Sequence, residues 1–355
     1  MTQETSDQIK ALGFFCTLLV VTIHCPSATF AWTRGSVDVP RGVAMFQFAG
    51  SDTISRLAVP WFLLVSGFFL VHRLPCKATL SEMMQWWQQT ILKRVMTLGI
   101  PYLLWNLIYY VFKLSIGKYP FAFDRCFAEI TGWNLQGGLA CGQFWYIRCV
   151  IVYVLVAPIF VLVMRHRQIG GMVLTLLCVA WIGRLPQLPI IYVQPMDYSY
   201  LLFFASGVFV SLHASEYMCS RRVENLTRIL TSAAFLICSV GVVVCGGVRN
   251  VALGQVFGKW MILFGLPMLW LNRGLVCRLL RPFNGFVNQA FFLYAFHVIV
   301  VSVMGTVVRS MPDLGYHTVG YVLKVVVAIC VSLFVGKMLE RFLHPLFRML
   351  CGGRA

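Results

Sequence analysis

Two histidines and a few cations lie inside stretches that are otherwise apolar. His24 stands near the end of KALGFFCTLLVVTIHCP (10–26), and His297 closes FFLYAFH. Arg56 opens RLAVPWFLLVSGFF, and Arg148 lies in FWYIRCVIVYVLVAP next to Trp145 and Tyr146. Lys10 heads the first of these stretches, and Lys93 and Arg94 head KRVMTLGIPYLLW. An ionisable group within a long apolar span is costly and is a functional candidate by default. The chemistry that suits this set is acyl transfer. A hydroxyl is a poor nucleophile until a base takes its proton, and imidazole does so near neutral pH, the more so when desolvated and kept neutral. Guanidinium orients an anionic group or stabilises a developing oxyanion. Aromatic rings at Trp145 and Tyr146 would line such a chamber. Lys93 and Arg94 suit the phosphates of an acyl donor. There is no Ser-His-Asp pattern and no GxSxG elbow, so no acyl-serine is indicated. Each residue also has a plainer reading. His24 and His297 would be satisfied by neighbouring helices, Arg56 would snorkel to an interface, and Lys93 and Arg94 would be topology charges.

The elements that must position these groups are membrane helices. Read as a helix, the first stretch puts Lys10 and His24 roughly 21 Å apart along the axis, at 1.5 Å per residue. At 3.6 residues per turn their side chains fall within about 40° of each other. About ten apolar spans can be drawn: 10–27, 54–71, 95–114, 144–164, 169–184, 199–212, 229–247, 254–271, 290–308 and 319–339. They are long apolar runs rather than short alternating ones, which excludes a barrel. The expected fold is therefore an all-α, polytopic bundle of about ten transmembrane helices, forming one domain over 1–355. Lys and Arg concentrate in alternate connections, among them Lys93, Arg94, Arg165, Arg167, Arg228, Arg278, Arg281 and Arg341. By the positive-inside rule, both termini then face the cytoplasm. That topology puts His24, Arg56 and Arg148 at outer depth, with His297 nearer the midplane or inner side. Trp32, Tyr119, Trp133 and Tyr198 would form an outer aromatic belt.

Composition agrees. Of 355 residues, 59% are hydrophobic and only 12% charged, a profile outside that of soluble domains. The net charge of +17 would suggest nucleic acid in a soluble protein, but here topology accounts for it and no nucleic-acid partner is expected. The 13 cysteines include no CxxC pair and no metal spacing, so no metal site is expected. Cys126 and Cys141 share the long segment 115–143 and could be bridged or remain two thiols. Glu4 and Asp7 stand where a cleavable signal would be basic.

Six stretches in order resemble acyltransferase family 3, the polytopic bacterial O-acyltransferases. They are VVTIHC, SRLAVPWFLLVSGFFL, KRVMTLGIPYLLW, FWYIRCVIVYVLVAP, YLLFFASGVFV and AFFLYAFH. The resemblance implies a ten-helix bundle with His24 as the essential histidine. It also implies a cytoplasmic acyl-CoA donor, acetyl-CoA by expectation. The acceptor would be a hydroxyl of an envelope glycan or lipid-linked sugar, and the location the bacterial inner membrane, in contact with membrane lipid. Two positions depart from the family pattern. Gly13 stands where the family carries arginine in R-x10-H, with Lys10 the nearest cation, and Cys149 replaces an acidic or amide residue. These departures leave room for a glycan transporter or flippase, or a catalytically silent partner in an envelope assembly.

Overall fold

The computed structural model describes residues 3–26, 40–72, 74–75, 78–132, 138–185, 198–213, 221–247, 250–311, 315 and 317–353. The expected belt residues Trp32 and Trp133 lie outside the described residues. Most of those described are helical, with no strand among them. Helices α1 (Gln3–His24), α2 (Arg41–Ser51) and α3 (Ala58–Val71) open the chain. They are followed by α4 (Leu80–Arg94), α5 (Ile100–Ser115), α6 (Phe123–Thr131), α7 (Trp145–Leu155) and α8 (Ala157–Met164). Next come α9 (Arg167–Ile182), α10 (Tyr198–His213), α11 (Arg221–Gly247) and α12 (Val251–Leu271). The last are α13 (Arg273–Leu279), α14 (Ala290–Val308), α15 (Val319–Phe342) and α16 (His344–Leu350). With no water in a bilayer core, every backbone polar group must be satisfied within the segment, which is why apolar runs of this length are helical.

Among the described residues, seven helical segments are long and apolar enough to cross a membrane. An eighth is broken: Gly142–Leu155 and Ala157–Met164 meet at 68°. Pro158 explains the break, because its ring collides with the carbonyl four residues back and it has no N–H to donate. The expected spans at 169–184 and 199–212 are helices of 16 residues each, shorter than the seven. The expected third span begins well before residue 95. Thr79 and Glu82 form a reciprocal capping box that starts α4, and α4 runs through a widened π turn at Val95–Gly99 into α5. The resulting 36-residue rod is about 54 Å long, against roughly 30 Å of hydrocarbon. The π turn falls where Pro101 cannot donate to Thr97, and the freed Thr97 carbonyl faces Gly352, where any Cβ would collide.

The helices gather into two compact units. The first contains Met1–Phe62 and Cys219–Met338. Its core packs Phe48 and Leu57 against Phe235, Cys238, Val242 and Met261, so that α2 and the turn after it rest on the α11–α12 hairpin. The second contains Leu63–Met218 and Leu339–Ala355. There α3 crosses α10 with backbones in contact: a Cβ on Gly67 would strike the Phe204 carbonyl, and one on Gly207 the Leu64 carbonyl. Small residues at such a crossing allow the close approach by which membrane helices associate. At the end of the second unit, Trp105 Nε1 donates to the Leu350 carbonyl at 3.1 Å and fastens α16 to α5.

Candidate functional site

His24 is the last residue of α1. The helix stops there because Pro26 disfavours helical backbone at the residue before it. The His24 side chain remains exposed. Its ring lies 5.1 Å from that of His297, tilted by 51°. The two rings therefore share one depth, which corrects the sequence expectation that His297 sits deeper than His24. His297, within α14, has no exposed surface. Its Nδ1 is 3.1 Å from the Leu293 carbonyl oxygen. A carbonyl only accepts, so Nδ1 carries the hydrogen, and Nε2 of the neutral ring is a bare lone pair. That Nε2 is buried and has no hydrogen-bond partner among the described residues.

Polar groups brace this end of the first unit. Thr22 Oγ1, half a turn before His24, is 2.6 Å from Ser55 Oγ, and Ser55 donates to the Gly50 carbonyl at 2.6 Å. The phenol of Tyr321 fills the space left by the missing side chain at Gly50. Arg56 donates from Nε to Asp52 Oδ1 at 2.9 Å, and from Nη2 to the same oxygen. Ser51 donates to Asp52 Oδ2 at 2.6 Å. Arg56 therefore has a resident anion, yet its side chain keeps 52% of its surface exposed and lies within electrostatic range of His24. Lys324 is buried at 4% exposure, within electrostatic range of Cys25. Lys324 was not among the site residues singled out from sequence. Thr22, Ser55, Asp52 and Tyr321 were missed altogether. Short polar side chains in apolar spans were the available signal. Lys10, on α1, is exposed and pairs with Asp7 at 3.8 Å.

The other predicted residues belong to the second unit. Arg148 Nη1 donates to the Gly132 carbonyl at 3.3 Å. Gly132 caps α6 in the left-handed region at φ 74°, so the guanidinium sits where carbonyls at a helix C-terminus favour a cation. Tyr102 donates to the neighbouring Thr131 carbonyl at 3.2 Å. Trp145 packs on Tyr200 with ring centres 4.8 Å apart, and Tyr146 Oη is 2.7 Å from Ser66 Oγ. Arg94 lies within electrostatic range of Tyr146, whereas the sequence had separated the two by the depth of the membrane. The antiparallel packing of α4 on α7 brings them level, as the bond from Trp87 Nε1 to the Val154 carbonyl at 3.1 Å shows. Lys93, beside Arg94, is exposed. In the connecting segment, buried Glu129 accepts from Lys113 Nζ at 3.1 Å and from the Tyr119 hydroxyl at 2.7 Å. Cys126 and Cys141 are both free thiols, so the segment is not bridged. The chamber expected from sequence thus resolves into two sets, His24, His297, Arg56 and Lys10 in one unit and Arg148, Trp145, Tyr146, Lys93 and Arg94 in the other.

A chain with this many membrane-length apolar helices among its described residues, carrying an accessible imidazole at the end of one of them, is an integral membrane protein. The chain matches the acyltransferase domain of acyltransferase family 3 over residues 7–339, and it belongs to that family. No curated protein matches it, and no solved structure does.

Proposed function

We propose that the protein is an O-acyltransferase of the bacterial inner membrane. It moves an acyl group, acetyl by preference, from cytoplasmic acyl-CoA to a hydroxyl of an envelope glycan or lipid-linked sugar. The observation that carries this reading is the accessible imidazole of His24, held at the end of an apolar helix in a chain of an acyltransferase family. In this reading His24 takes the proton of the acceptor hydroxyl as its oxygen attacks the thioester carbonyl. The C–S bond then breaks, and the imidazolium returns its proton to the departing CoA thiolate. The charged part of the donor stays at the cationic cytoplasmic face, near Lys10. Arg56, within electrostatic range of His24, serves the acceptor or the developing oxyanion. Lys10 offers a flexible ammonium in place of the family arginine, without bidentate geometry.

The test is transfer of label from radiolabelled acetyl-CoA to envelope glycan by membranes made with and without the protein. Reporter fusions at each terminus test the topology. Label that moves equally in both membranes overturns the reading and favours a transporter or a silent partner. A terminus that reports from outside removes His24 from the acceptor's side.

A further inference from the structure

We infer that His297 is the positioning residue for His24: its Nε2 accepts the N–H of the His24 ring and so turns the other His24 nitrogen, as a bare lone pair, toward the acceptor hydroxyl. The inference rests on the reading of His24 as the base and adds a role for a group that reaches no substrate itself. Its observations are geometric. His297 is wholly buried, its Nδ1–H is committed to the Leu293 carbonyl, and its Nε2 is left without a hydrogen bond beside the ring of His24. A buried acceptor left unpaired is costly, so such an atom calls for a partner that arrives in the working state.

The separation suits that partner. An N–H···N bond of about 3 Å, with roughly 1.1 Å from each nitrogen to its ring centre, puts two imidazole centres about 5 Å apart. The rings stand at 5.1 Å. Rotation about the broad terminal torsion of His24 completes the bond without backbone movement. Of the His24 and Tyr294 rings beside His297, that of Tyr294 stands farther off, with centres 6.5 Å apart. Arg56 and Ser51 are engaged by Asp52, while Thr22 and Ser55 are engaged with each other and with backbone carbonyls. In the reaction, one proton passes from the acceptor oxygen to His24 as the new C–O bond forms. The other His24 N–H stays hydrogen-bonded to His297, and the first proton leaves with the CoA thiolate when the C–S bond breaks. His297 keeps its own Nδ1–H throughout, so no proton is gained or lost overall.

Three proteins test this: the parent, His297→Gln, which keeps an acceptor atom near the Nε2 position, and His297→Leu, which does not. Each is purified in detergent and checked for thermal unfolding. His24 in each is then carbethoxylated with diethylpyrocarbonate and followed by peptide mass spectrometry, a readout of imidazole nucleophilicity that needs no acyl transfer. His297→Leu is expected to slow His24 modification severalfold. It should also lower kcat roughly 10- to 100-fold with KM unchanged, the size of effect known for losing the hydrogen-bond partner that orients a metal-bound histidine. His297→Gln is expected to restore most of both. Equal modification rates in all three proteins overturn the inference, whether or not acyl transfer is detected. So does a His297→Leu enzyme that transfers at the parental rate, or a His297→Gln that is as impaired as His297→Leu in both readouts. Should His297→Leu fail to fold, parent and His297→Gln still decide: similar modification rates are expected, and a Gln variant in which His24 has lost its reactivity overturns the inference.

Discussion

Replacing His24 by alanine separates chemistry from stability more cleanly than any other change in the protein. His24 is the terminal residue of α1 and is exposed, so its truncation opens no cavity in the core. Exposed substitutions that open no cavity and break no hydrogen bond stay within about 0.5 kcal/mol. Against a native stability of about 5–15 kcal/mol, a loss of that size leaves the folded fraction essentially unchanged. Loss of a positioned general base, by contrast, lowers the rate by roughly 10²-fold or more, equivalent to about 2.7 kcal/mol of transition-state stabilisation. The two effects differ about fivefold in free energy, so a single purified sample distinguishes them. The assay is single-turnover transfer from radiolabelled acetyl-CoA in proteoliposomes, paired with thermal unfolding of the same preparation in detergent. The expected result is a rate at most one-hundredth of the parental value with an unfolding midpoint within a degree or two. A variant that transfers at near the parental rate refutes the catalytic role. A variant whose unfolding midpoint collapses refutes the description of His24 as a residue the fold does not need.

Three further outcomes follow from the described contacts. Gly207→Ala is expected to lower the unfolding temperature clearly, because its Cβ meets the Leu64 carbonyl, whereas Gly171→Ala, with nothing within 4 Å, should be neutral or stabilising by about 0.5–1 kcal/mol; equal midpoints for the two would mean that α3 and α10 do not cross backbone to backbone. Burial and the bond to Glu129 raise the ionisation of Tyr119 well above its ordinary value of 10.0, so the neutral phenol stabilises the fold at lower pH. That contribution is lost as pH rises through and beyond the ordinary tyrosine range, and Tyr119→Phe should flatten the alkaline fall in stability measured by thermal unfolding. Lys10→Ala should raise KM for acyl-CoA more than it lowers kcat, and Gly13→Arg, for which a built Cβ meets nothing within 4 Å, should improve donor use or leave it unchanged; donor kinetics untouched by Lys10→Ala make Lys10 a topology charge alone.

The sequence by itself determined the class of the protein and most of its helices, because in lipid a long apolar run has no other way to satisfy its own backbone. It also determined local punctuation. Pro26 ends α1 next to His24, and Thr79 with Glu82 starts α4. These are interactions between residues a few positions apart, so type and spacing suffice to read them. His24 was legible for the same reason, as one imidazole in an apolar run. The depth of His297 was not, because it depends on how α14 slides along α1, and helix periodicity carries no information about axial register between helices. Likewise the tie from Arg148 to Gly132 exists only once separate segments are packed. Arg94 comes within range of Tyr146 only through the antiparallel packing of α4 on α7, which nothing in either stretch announces. The residues able to do chemistry were written in their local surroundings; which of them meet was decided by close packing between distant helices, where a single ångström of register selects the partner.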